Sequence, residues 1–351
     1  MPNHFSSLRA LSFLLINGLV VALLTACGGG GDDGGANAAP AAPTARIDAD
    51  NAEAVMAATL SSTEFVRSSS QFGLSSDAPV FAASLTSPGN VVLDDFRLTT
   101  FLRRHTVAAL ADAAQSGAQI QKAVETISEP CTDGGTVTVS FNDQDNDQAP
   151  SVGDSMTLSF SNCAEFGETA NGSLSVDITE LSGDIVNGIG PWRFAMVVTL
   201  DNLSISSDTG TGTIAGQMTV AISGNADVEA RAELSIDTLT AEDSSGNAVR
   251  MDNISIVVLG DANIQEDSVT INGTITISDY GVVTLTTIEP LRQRAMDLYP
   301  YAGSIRLTGA DNTSVMLTVI DEVRVRLDVD ADGDGIAETM IETTWQVLEE
   351  A

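Results

Sequence analysis

Val315-Met316-Leu317-Thr318-Val319 and, after a short polar break, Val323-Arg324-Val325-Arg326-Leu327-Asp328-Val329-Asp330 decide the class of fold. Val315, Leu317 and Val319, then Val323, Val325, Leu327 and Val329, take every second position. A period of two puts one side of a strand in a core and the other in water, which belongs to antiparallel sheet. The same alternation recurs upstream in Val137, Val139 and Phe141, in Met156, Leu158 and Phe160, and in Leu174, Val176 and Ile178. It returns in Met218-Val220-Ile222, Leu234-Ile236, Ile254-Ile256-Val258 and Ile275-Ile277 (intervening residues omitted). Asn171-Gly172, Asn187-Gly188, Gly224-Asn225, Gly246-Asn247, Asn272-Gly273 and Asp311-Asn312 read as turns between them. The pattern predicts about twelve hairpin-connected strands, too many to stay flat, and hence a barrel, a half-barrel or a sandwich. No strict repeat period is visible, against a solenoid or propeller. Arg292, Arg294, Tyr299 and Tyr301, after Pro290, read as a loop interrupting the series, and Trp192 and Trp345 as core or rim anchors.

Before the strands the period is helical. Asp50-Asn51-Ala52-Glu53 has capping-box spacing, with Asp50 as cap. A helix is expected to follow to Val66, with Val55, Thr59, Ser62 and Val66 on one side. Residues 67–91 read as loop. A second helix is expected from Asp94 to Gln115 on Leu98, Phe101, Leu102, His105 and Ala109, with Ile120, Val124 and Ile127 carrying the pattern to Ser128 before Pro130. The fold class is therefore mainly β (α+β): two N-terminal helices packed on a large curled antiparallel meander sheet. Residues 46–130 form the helical segment and 131–351 the β domain.

Net charge is −33, and 43 % of residues are hydrophobic, so this is not a disordered acidic tail. Such a charge disfavours nucleic acid and anionic headgroups as partners and favours cations. Aromatics are only 5 %, while Thr, Ser, Val and Ile dominate, as strands require.

At the amino end Arg9 precedes an apolar run from Ala10 to Leu24, closed by Leu24-Thr25-Ala26-Cys27 and Gly28-Gly29-Gly30-Gly31. The run is shorter than the roughly 20 residues of a membrane span and contains Asn17 and Gly18. This segment resembles a bacterial lipoprotein precursor with its lipobox. The resemblance covers the first thirty or so residues. It implies removal of 1–26 as a signal peptide, a diacylglyceryl thioether on Cys27 and an acylated, palmitate-type amino terminus. Residues 27–45 then form a lipidated Gly/Ala/Asp/Pro tether. Loss of Arg9 takes the mature charge from −33 to −34. Gly28 in place of Asp after the cysteine points, by analogy with enteric sorting, to the outer membrane. The implied location is the bacterial cell envelope (outer membrane or periplasm), held by the lipid anchor.

In that oxidising space Cys131 and Cys163 are an even pair and are expected to form a disulfide; the alternative is two buried free thiols. Asp328, Asp330, Asp332, Asp334 and Glu338 surround Gly333 and Gly335 between two strand-like runs. Alternate carboxylates on a glycine-permitted turn can converge on Ca²⁺, which takes six to eight hard oxygens. Position twelve of an EF-hand loop would be Ile341 rather than Glu, so the turn resembles the Asp-rich calcium turns of bacterial surface proteins instead. The bland reading is a solvated acidic hairpin tip. Asp143, Asp145, Asp147 and Asp154 form a second, weaker set, read otherwise as a polar loop beside the disulfide.

Enzyme chemistry is not expected. His105, the one histidine after the leader, lies on an apolar helical face, and no Gly-x-Ser-x-Gly elbow is present. The expected function is a lipid-anchored envelope protein with a binding or structural role and calcium-stiffened turns. Its partners are the membrane, through the anchor, and an apolar ligand or an envelope protein. The alternatives are a carrier for an apolar ligand held between helices and sheet, and a polysaccharide-acting enzyme using paired carboxylates.

Overall fold

The computed structural model describes residues 43–63, 124–146, 151–165, 167–184, 189–207, 210–225, 229–261, 266–294 and 297–350. The first strands are β1 (Val124–Pro130), β2 (Gly134–Asn142), β3 (Ser155–Glu165), β4 (Glu168–Asp184), β5 (Ile189–Ser207), β6 (Gly210–Asn225) and β7 (Glu229–Asp243). Then come β8 (Ala248–Asp261), β9 (Glu266–Ile277), β10 (Gly281–Arg294), β11 (Ala302–Thr308), β12 (Ser314–Val319), β13 (Arg324–Asp330) and β14 (Thr339–Thr344). All fourteen lie in one antiparallel meander in chain order, with β1 and β14 as its edges. The sheet is open, neither a closed barrel nor a two-layer sandwich. Alternation holds where it was read: Val315, Leu317, Val319, Val325, Leu327 and Val329 are all buried. Val323 instead belongs to the preceding turn and is 56 % exposed.

The segment expected to prolong a helix to Ser128 is strand β1. Its β-branched Val124, Thr126 and Ile127 pair with Asn142, Ser140 and Val139 of β2, and pairing of residues that suit a pleated surface outweighs a loose helical spacing. Nor do Arg292 and Arg294 sit in a loop, because β10 runs through Pro290 to Arg294. Pro290 is tolerated there because the β10–β11 register slips between Glu289 and Arg292.

Two Asn-Gly pairs read as turns lie inside strands. Gly172 of β4 has φ +104°, and a Cβ on it would sit 2.4 Å from the carbonyl oxygen of Asn202 in β5. Gly273 of β9 has φ +148°, with the Asn253 oxygen of β8 2.8 Å from the same place. Asn162, Asn202 and Asn253 each adopt positive φ at a register shift. These are bulges, in which an extra residue bends and twists the strand. Asparagine side chains cross-link them: Asn162 N–H donates to Asn171 Oδ1 (2.8 Å) and Thr287 N–H to Asn272 Oδ1 (3.0 Å). The irregularities form a line from β2 to β10, each strand creased beside the next. Across four of them the buried residues step by three instead of two: Phe160 to Cys163, Leu200 to Leu203, Ile236 to Leu239 and Met251 to Ile254. The extra residue keeps one face of the sheet apolar on both sides of the crease.

One helix precedes the sheet in the described chain, α1 (Ala52–Thr63), and α2 (Trp345–Glu350) closes it. The α1 cap is Asp48 rather than Asp50. Asp48 Oδ1 accepts the N–H groups of Asp50 and Asn51 (3.0 and 3.2 Å), while Asn51 Oδ1 accepts Asp48 N–H (3.0 Å). Val55, Met56, Thr59 and Ser62 are buried against the sheet's apolar layer. Thr59 and Ser62 satisfy their hydroxyls on the Val55 and Ala58 carbonyls. Tyr299 stacks on Trp345 (5.9 Å) and donates to Glu349 (2.6 Å), fixing α2 beside the β10–β11 turn. The expected second helix, Asp94 to Gln115, lies outside the described residues.

Residues 43–45, expected to end a flexible tether, are docked on the sheet. Val282 N–H donates to Pro43 oxygen and Ala45 N–H to Val282 oxygen, so 43–45 run beside the start of β10. Gly281 makes room for this, since a Cβ there would meet Pro43 oxygen at 2.1 Å. The Cys131–Cys163 disulfide is formed, with Cα atoms 5.3 Å apart.

The turn before β13 is held by Asp321, which accepts Arg324 Nε and Nη2 (2.9 and 2.6 Å) and the N–H groups of Val323 and Arg324. The Arg324 guanidinium and these two N–H groups pull its carboxyl down to about 2. A depressed carboxyl favours the folded state above the ordinary carboxylate range and loses that contribution as pH falls through the folded value. Carboxyl NMR titration is expected to give Asp321 a midpoint of about 2, returning toward 3.8 in Arg324→Gln. An ordinary midpoint in the unsubstituted protein would show the turn to be open.

Candidate metal centre

The β13–β14 connection gathers Asp330, Asp332, Asp334 and Glu338, one carboxylate oxygen of each lying within 4.8 Å of the others. At that spacing one metal ion could contact an oxygen of each. Local chemistry sets the convergence. Asp330, 6 % exposed, accepts Gly333 N–H (2.7 Å) on Oδ1 and Gly335 N–H (2.9 Å) on Oδ2, winding the chain around its carboxylate. Asp332 and Asp334 accept the N–H two residues on (3.1 and 2.8 Å), and Glu338 reaches back to Ala331 N–H (2.8 Å). Gly333 takes φ +80° and packs on Asp311, whose oxygen would meet a Cβ at 2.1 Å. Each carboxylate keeps lone pairs beyond these bonds. Among the described residues no Lys or Arg is ion-paired with any of the four.

Asp328, expected in this set, is not part of it. It sits on the solvent side of β13 and accepts both Nε and Nη2 of Arg326 (3.0 and 2.9 Å). Two residues before Asp330 on the same strand, its carboxylate is committed to that guanidinium. Arg46 was missed from sequence: its guanidinium donates to Ala331 oxygen (3.2 Å) and Asp311 (3.3 Å), tying the loop to the incoming chain. Nothing in its local sequence signals this, because the partners lie 265 and 285 residues away along the chain.

The second cluster joins Asp143, Asp145 and Asp154, again within 4.8 Å. Asp154, 9 % exposed, accepts Gln144 N–H (2.9 Å) and Ser151 N–H (2.7 Å) across the β2–β3 connection. Asp147 and Cys27 lie outside the described residues. This loop is not beside the disulfide. Cys131 precedes β2 and the acidic loop follows it, so the strand separates them, and the β13–β14 loop lies at the disulfide end.

Among the described residues no helix is long and apolar enough to cross a membrane. Compared with protein-family models, curated proteins and solved structures, the chain matches none of them.

Proposed function

We propose that this chain is a lipid-anchored bacterial envelope protein, non-catalytic, with a binding or structural role and with calcium stiffening its acidic turns. The observation that carries the reading is the convergence of Asp330, Asp332, Asp334 and Glu338 without a cationic partner among the described residues. Four like charges at this spacing repel, and a hard divalent cation turns that repulsion into cohesion. The loop lies where residues 43–46 enter the fold. An ion there would brace the end of the sheet nearest an anchor on Cys27, with the intervening stretch as spacer.

Thermal unfolding in calcium against chelator tests the ion. At a hundredfold excess over Kd the bound ion adds about 2.7 kcal/mol, a rise of several degrees. Asp332→Asn and Asp334→Asn, whose remaining amide oxygen can still accept the one backbone N–H each carboxylate accepts, are expected to abolish the rise while leaving the chelated midpoint nearly unchanged. Equal midpoints with and without chelator would remove the calcium reading. The anchor is tested separately by mass spectrometry of the mature chain: an acylated Cys27 supports it, and an intact leader ends it.

A further inference from the structure

We propose that the β14 edge, with the cleft at its far end, docks an extended segment of another protein that alternates basic and apolar residues and adds to the sheet as one more strand. Trp345 N–H donates to Val323 oxygen (3.1 Å). In an antiparallel ladder residues bond alternately to the two sides, so Thr339, Ile341 and Thr343 serve β13. The N–H and C=O groups of Met340 and Glu342 and the N–H of Thr344 then face the open edge, and no described residue pairs with them; the Thr344 carbonyl is taken up by the first turn of α2, where Thr344 Oγ1 also accepts Val347 N–H. The other edge is blunted. Cys131 N–H bonds to Gly135 oxygen, which by the same alternation turns Pro130, without an N–H, outward on β1. β14 has no proline, lysine or bulge to discourage pairing.

Exposed apolar side chains concentrate here. Of nine large ones left exposed among the described residues, Leu298, Ile320, Val323, Ile336 and Met340 lie in the last strands and their turns, and Val347 lies on α2. Clustering of that kind marks an interaction surface. An open cleft of about 460 Å³, lined by Leu298, Tyr299, Val323 and Thr344 with Asp297 and Glu322, sits where β14 meets α2. A strand laid along β14 would run its end into this cleft, where an apolar side chain finds Leu298 and Val323. Glu322 at the cleft and Glu342 on the strand, the latter shared with Arg326 across the ladder, favour basic neighbours in a chain of net charge −33. This end of the sheet is opposite the one where residues 43–46 enter, so a membrane anchor leaves it accessible. Backbone pairing gives such recognition its affinity, and alternate pockets give it specificity.

The probe is a blocked hexapeptide alternating lysine and valine, added to the purified mature chain. Saturable binding is expected, with amide exchange at Met340, Glu342 and Thr344 slowed about tenfold or more. Glu342→Pro removes an outward N–H while leaving the β13 ladder intact, and should weaken binding about tenfold. If that variant misfolds, the same peptide N-methylated at alternate residues supplies the loss on the probe's side. An alternating glutamate–valine peptide should bind far less well. The proposal is overturned by equal binding of the N-methylated peptide or by unchanged exchange at saturation. It is also overturned if those amides are already protected without peptide: protection at every concentration would mean this chain covers its own edge, and protection only when concentrated would mean a second copy does.

Discussion

Gly172→Ala is expected to destabilise the protein by about 3–5 kcal/mol, in the range reserved for steric failure of the backbone. The residue has φ +104°, and its new Cβ would lie 2.4 Å from Asn202 oxygen and 2.9 Å from Leu203 Cα. Both obstacles are backbone, held by pairing of β5 with β6, so neither can swing away as a side chain would. Gly246→Ala is the control. It also has positive φ, +85°, but nothing stands within 4 Å of its Cβ position, so only the cost of a left-handed alanine, about 1 kcal/mol, is expected. Denaturant melts of the two variants measure the difference. Similar losses for both would mean that conformation alone, and not the close approach at the crease, makes Gly172 necessary.

Reduction of the Cys131–Cys163 bridge, or its replacement by serines, is expected to cost about 3–4 kcal/mol. The bridge spans 32 residues, and constraint of the unfolded chain scales with the logarithm of that loop. Both cysteines are buried, so replacement by alanine separates the lost constraint from the introduced hydroxyls. The bridge ties the entry of β2 to β3 near the β1 edge, and β1 pairs only with β2 among the described strands. Loss of amide protection in β1 and β2 before the centre of the sheet is the expected signature on reduction. Unchanged stability in reductant would show that the edge is held by packing alone.

The acidic loop at residues 330–338 was legible because its chemistry is local. Aspartates at alternate positions with Gly333 and Gly335 converge through hydrogen bonds spanning five residues at most among Asp330, Asp332 and Asp334. Asp328 was misassigned because its partner, Arg326, stands beside it on the same face of the strand. The helix cap was misplaced by two residues because Asp48 and Asp50 are equivalent as sequence, and only the positions of their neighbours' N–H groups separate them. A signal for the crease was present but unread. Apolar residues step by three across Ser161-Asn162, Asp201-Asn202, Asp237-Thr238 and Asp252-Asn253, and that step is what one extra residue in a strand requires.

By itself the amino-acid order determined the antiparallel class, the strand count to within a few, the disulfide pair and the acidic turn, because each depends on alternation or on neighbours close along the chain. Only the tertiary structure decided that the sheet stays open, that Asn171-Gly172 and Asn272-Gly273 serve creases instead of turns, and that β14 ends the sheet with no partner on its outer edge among the described residues. Those outcomes depend on which strand lies beside which. A glycine that ends a hairpin and a glycine that admits a neighbouring carbonyl look alike until the neighbouring strand is in place.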